Sequence, residues 1–231
     1  MKRDAVAACY TSDRVGHADP DRIFWQGARP HGAKLYGFGD KTVGQWGCPM
    51  VALVHALRMS GGRAGATPST LLARLLEASP AVWGKGSSLA RLPVMAREAG
   101  FKCPDAPLYT MPALEAALRA DFPVAPDTVA LATMELDHEV CGVIEREGFA
   151  WLHVDYTEDG KGDHWVLAHA FDAERLYYVD SATARVDYLI RRTLSGASVW
   201  RTEQRDPITK RIVKPALIRQ YQGVKAYLLS L

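Results

Sequence analysis

Between Phe149 and Thr183 three apolar runs follow one another, "FAWLHVDYT", "HWVLAHAFD" and "RLYYVDSAT", each bounded by charged turn residues. Runs of this length, rich in Val, Tyr, Trp and Phe, read as strands, and such turns join antiparallel neighbours. "TVALATMEL" and "EVCGVIE", just upstream, read as two further strands. The chain before Phe122 carries helical signals instead. Met50, Leu53, Val54 and Leu57 recur at helical spacing, Pro49 suits a first helical position, and Gly61-Gly62 end the run. "TPSTLLARLLEA" predicts a second helix with Thr67 as N-cap. "SLARLPVMAREAG" predicts a third, capped near Ser87 or Ser88 and kinked or divided at Pro93, and "TMPALEAALRAD" a fourth. Helices first and strands after give an α+β domain. The first forty residues, rich in Gly, Pro, Asp and Arg, read as loop with one short strand.

The 231 residues, 48% hydrophobic and 23% charged, can bury one sizeable core. The formal net charge of +2 names no partner and gives no reason to expect nucleic acid. From Arg191 to Leu231, however, nine Lys or Arg stand against two acidic residues, a net of +7, with −5 for the rest. The expected organisation is an irregular arm over 1–33, a main domain over 34–190, and a basic C-terminal extension over 191–231. That extension would pack on the domain or dock it to a larger assembly or an anionic surface. No H-E-x-x-H, Walker loop or G-x-G-x-x-G occurs, and the acidic turn "DYTEDGKGD" lacks EF-hand spacing, so no cofactor or metal is expected. No run is apolar enough for membrane insertion, and "MKRDAVAACYTSD" does not read as a signal peptide, so synthesis in the cytoplasm is expected.

Four cysteines, Cys9, Cys48, Cys103 and Cys141, form no C-x-x-C pair and no disulfide framework. Cys48 alone stands at the mouth of a helix, where unpaired N–H groups and the macrodipole favour a thiolate. Cys103 lies in a loop and Cys141 in an apolar strand; both read as structural. A nucleophilic cysteine needs a base, and the base an orienting partner. Of seven histidines, His55 lies about 10 Å along the helix from Cys48, too far to share a proton. His164 opens an apolar strand directly after a turn, and alternation puts His169 on the opposite face. Asp180 ends the next strand, beside the start of the first if the two pair antiparallel.

These residues, "TVGQWGCPMVALVHALRMSGG…TPSTLLARLL" followed by "GDHWVLAHAFD…YYVDSA", resemble the bacteriocin-processing branch of the papain-like cysteine peptidases over about Lys34 to Ala182. The resemblance implies a papain-like fold with Cys48 as nucleophile, His164 as general base and acid, and Asp180 as orienter. It places the Gln45 side-chain amide with the Cys48 N–H at an oxyanion hole. Ser181 follows Asp180 where the family carries proline. Similarity to stand-alone relatives suggests a peptide substrate in peptidoglycan cross-links and delivery on a phage tail or similar particle. The alternatives are a papain-like shell without turnover, serving as a structural or binding module, and a transglutaminase-like or acetyltransferase-like enzyme. Trp46 and Trp165, each beside a candidate residue, read as packing.

Overall fold

The computed structural model describes residues 23–34, 40–61, 65–78, 91–109, 136–155, 164–173, 175–182, 184–190, 198–205 and 212–231. The fourth helix expected over 110–121, most of "TVALATMEL", the acidic turn at 156–163 and Cys9 lie outside them. After a 3-10 turn at His31–Ala33 come α1 (Val43–Trp46), α2 (Cys48–Met59), α3 (Pro68–Ala78) and α4 (Arg91–Ala99). Then follow β1 (Leu108–Tyr109), α5 (Leu136–Glu145), β2 (Phe149–Asp155), β3 (His164–Phe171), β4 (Arg175–Asp180), β5 (Arg185–Ile190), β6 (Ser198–Arg205) and β7 (Ile212–Leu229). The class is α+β, helices with one antiparallel sheet.

The sheet runs β1-β7-β2-β3-β4-β5, with β6 on the early part of β7. Its central pairs follow the sequence: β2 with β3, β3 with β4, β4 with β5. The C-terminus departs from expectation. The last stretch of β7 lies between β1 and β2, with Tyr109↔Lys225 on one side and His153↔Lys225 on the other. Residues 222–229 are therefore an interior part of the sheet, and the boundary expected at 190 does not separate an extension from the domain. A strand supplied from far along the chain carries no local signal of where it will pair.

Alternation on β2 divides the core in two. Phe149 and Trp151 face α2, α3 and α4, together with Trp165, Leu167, Tyr227 and Leu229. Ala150, Leu152 and Val154 face α5 with Val166, Ala168, Leu176 and Tyr178. Helices thus cover both faces of the sheet. The segment "EVCGVIE" corrects the sequence reading, because it forms the end of α5 rather than a strand. Val140, Val143 and Ile144 pack on the sheet at helical spacing, and Asp137 and Glu139 in the first turn suit the positive end of the helix. Their β-branched character suggested a strand, but the period decides. Cys141 is accordingly a helix residue, with Sγ 3.7 Å from an Asp137 oxygen.

Helix α2 is buried from Cys48 to Leu57 on all sides. It is wedged between the sheet and the α3–α4 pair, so its moderate stripe of apolar residues understates its burial. Left-handed Gly61 (φ 71°) lies just beyond it. Thr67 caps α3 by accepting the Thr70 N–H at 3.2 Å. Pro93 does not kink α4, because that helix begins at Arg91 and places the proline in its first turn.

His55 ties the N-terminal loop to α2 by accepting the Phe24 N–H at its Nε2, 3.1 Å away. That role requires a neutral ring. Burial, then the nearby His169 and Arg58, push its pKa down to about 3. Between that value and the unfolded value near 6.5 the unfolded chain binds the extra proton, so stability is complete above pH 6.5 and is lost as pH falls toward 3. Urea unfolding of His55→Gln against the parent, from pH 7 to 4, is expected to give a shallower pH dependence. The slope should fall by about 1.4 kcal/mol per pH unit, one proton's worth; parallel curves would refute the assignment.

Candidate active site

The turn before Cys48 is set by close backbone approaches. A Cβ on Gly47 would lie 2.5 Å from the Val43 carbonyl oxygen, and one on Gly44 2.9 Å from that of Gly32. Gly32 in turn would meet the Gly27 backbone at 2.4 Å. The glycines let the 27–32 loop lie flat against the α1–α2 junction. Helix α2 starts one residue earlier than the proline suggested, with Gly47 as N-cap, Cys48 first and Pro49 second. The first internal bond is donated by Val51 to Gly47, which leaves the Cys48 and Met50 N–H groups at the helix mouth without intrahelical acceptors. Cys48 is 9% exposed.

His164 begins β3 and Asp180 ends β4, and the antiparallel pairing brings these ends together. His164 Nε2 lies 2.7 Å from Asp180 Oδ1. With Nε2 so engaged, Nδ1 is the nitrogen left for the thiol, and the Cys48 side chain lies near enough to the ring to raise its pKa. Burial by itself lowers the His164 pKa. The Asp180 hydrogen bond, then the Cys48 contact, outweigh it and raise the value to about 10. Asp180 is fully buried, and its Oδ1 also accepts the Ala182 N–H at 2.7 Å, which fixes the carboxylate.

The structure therefore joins Cys48, His164 and Asp180. Gln45 sits one turn ahead in α1, exposed, with Oε1 accepting from the Thr42 N–H (3.1 Å) and hydroxyl (3.3 Å). Its NH₂ group remains as the donor. Cys103 and Cys141 are buried elsewhere, and burial pushes the Cys103 thiol up to about 12. His169 falls at a bulge in β3, between Ala168 and Ala170, where it neighbours His55. Trp165 is buried, whereas Trp46 is 45% exposed, with Lys41 over its ring. No group of His, Cys, Asp and Glu among the described residues could hold a metal. No described helix is long and apolar enough to cross a membrane.

One functional residue escaped the sequence reading. Gln26 Nε2 donates to the Gly44 carbonyl (2.9 Å), the Gln26 N–H donates to the Ser181 carbonyl (2.9 Å), and the Ser181 hydroxyl donates to Gln26 Oε1 (2.9 Å). This one side chain clamps the turn after Asp180 to the turn before Cys48. It also shows what Ser181 does: a hydrogen bond holds that turn. No local pattern marks such a clamp, since its partners stand 18 and 155 residues away. No family model, curated protein or solved structure matches the chain.

Proposed function

We propose that this chain is a papain-like thiol hydrolase that cleaves amide bonds through Cys48, His164 and Asp180. The observation that supports it is a buried imidazole held between a helix-mouth cysteine and a fixed carboxylate. The proposed nucleophile is the Cys48 sulfur, whose proton passes to His164. The thiolate attacks the substrate carbonyl carbon, and the developing oxyanion meets the Cys48 N–H and the Gln45 amide. His164 Nδ1–H protonates the leaving nitrogen as the C–N bond breaks, which leaves a thioester. Nδ1 then takes a proton from water, the hydroxide attacks the thioester, and collapse releases the acid and the thiolate. Asp180 accepts from Nε2–H throughout, stabilising the imidazolium and holding the ring.

The substrate class that follows is a peptide, with peptidoglycan stem peptides as the first to be tested. Purified murein and a mixed peptide library, assayed for new amino termini, should both be offered. Thiol chemistry is tested without a substrate. Iodoacetamide from pH 5 to 9, mapped by mass spectrometry, is expected to modify Cys48 well ahead of Cys103 and Cys141. His164→Ala should remove that lead. Equal rates at the three cysteines would argue for a packed thiol and an inert shell.

A further inference from the structure

Directly beside this centre the sheet carries a row of polar and aromatic side chains that the mechanism does not use. Tyr109, Lys225, His153 and Trp165 stand opposite one another across β1, β7, β2 and β3. They lie on the sheet face that packs against α2, as Trp151 and Tyr227 in the adjoining row show. Trp165 follows His164 in the chain. The His153 ring stacks on Trp165, with centroids 4.4 Å apart and planes 16° apart, and Lys225 Nζ lies 5.9 Å from the centre of the Trp165 ring. Trp151 packs on the same indole at 5.2 Å.

This row is costly to the fold. Lys225 is 6% exposed and has no ion-pair partner among the described residues, and buried lysines are almost always paired. Burial pushes its pKa down to about 8. His153 Nδ1 and Trp151 Nε1 are buried with no hydrogen-bond partner among the described residues. Three such groups at one place run against the near-universal pairing of buried polar atoms. Burial, then the charges of Lys225 and His164, push the His153 pKa down to about 2. Costs of this kind are retained where a site needs them.

The unmet groups define a ligand. An ammonium and an indole N–H are donors only, and neutral His153 can add a third donor, so the complement is an acceptor-only anion. One cation against flat aromatic walls fits a carboxylate better than a phosphate, which calls for several cations or a helix mouth. Lys225 sits two strands from β3, about 10 Å from it, a span of two or three extended peptide residues. We propose that Lys225, His153 and Trp151 form a carboxylate-binding subsite beside Cys48, which selects amide substrates with a free carboxylate two or three residues from the scissile bond. Its placement relative to catalysis rests on the hydrolase reading; its ligand chemistry does not.

The two readings separate experimentally. In the parent chain, 6-acetamidohexanoate should shift the Trp151 and Trp165 indole N–H signals saturably in ¹⁵N NMR, and 6-acetamidohexanamide should not. Lys225→Met should lose the shift and, freed of an unpaired buried charge, unfold at a higher temperature than the parent. Equal shifts with acid and amide, no shift with either, or a lowered unfolding temperature in Lys225→Met would overturn the subsite. The bromoacetamido analogues then test its position. The acid should alkylate Cys48 at least ten-fold faster than the amide, and Lys225→Met should erase the difference. Equal rates at a reactive Cys48 would overturn the placement. Binding of the acid with no alkylation by either probe would sink the hydrolase reading and overturn placement beside a reactive thiol, while leaving the carboxylate chemistry standing.

Discussion

Cys48→Ala is expected to abolish amide hydrolysis while leaving the fold in place. The side chain stands at the first position of α2, at the end of the packed core, and the helix is anchored by Pro49, the Val51-to-Gly47 bond and burial through Leu57. Removing one sulfur atom from a largely buried position costs about 1 kcal/mol, a fall of roughly 2–4 °C in Tm for a chain of this size. The loss of activity should be complete, because neither Cys103 nor Cys141 neighbours the His164 ring. A second readout comes from His164. Cys48 helps to raise its pKa, so the imidazole should titrate lower in the alanine variant than in the parent, followed by NMR of the ring protons. Full turnover by Cys48→Ala on a substrate the parent cleaves would refute the mechanism.

The same pair fixes the sign of the pH dependence. His164 is raised in the folded state, so the stability from its ion pair is complete below pH 6.5 and disappears as pH rises through about 10. On the proposed mechanism the alkaline limb of activity should follow the same proton, since an imidazolium is what would protonate the leaving nitrogen.

What could be read from the chain was what local chemistry dictates. Cys48 was legible because Gly47, Pro49 and the apolar run make a helix mouth, and His164 and Asp180 because two consecutive strands with a short turn pair antiparallel. The Asp172 side chain closes that turn by accepting the Arg175 N–H at 2.7 Å, a contact within four residues. What stayed hidden depends on distance along the chain. Gln26 acts through Gly44 and Ser181, and Lys225 reaches the site only because β7 inserts between β1 and β2. The basic count near the C-terminus suggested a solvated docking face, yet one of those lysines is buried beside Trp165. Charge counted along a sequence says nothing of which cation the sheet will cover.

Asp180→Asn is the sharpest test of whether the carboxylate works on the ring or merely fills its turn. Asparagine keeps the shape and can still accept the Ala182 N–H through its oxygen. That oxygen cannot carry the charge that stabilises an imidazolium, and the amide can instead present its NH₂ to Nε2 and reverse the ring's tautomer. Nδ1 would then already carry the ring's proton and could not accept one from the Cys48 thiol or from water. The loss in kcat is expected to be on the order of 10²–10⁴-fold with KM little changed, as for other orienting carboxylates. The His164 pKa should fall, because its largest raising influence is removed while burial remains. Asp180→Ala goes further, leaving the buried imidazole N–H and the Ala182 N–H without their acceptor, and should lower stability by about 3–5 kcal/mol. An asparagine variant with parental kcat and an unmoved His164 titration would make Asp180 a turn residue only. A collapse in kcat with Tm preserved would assign it to the proton.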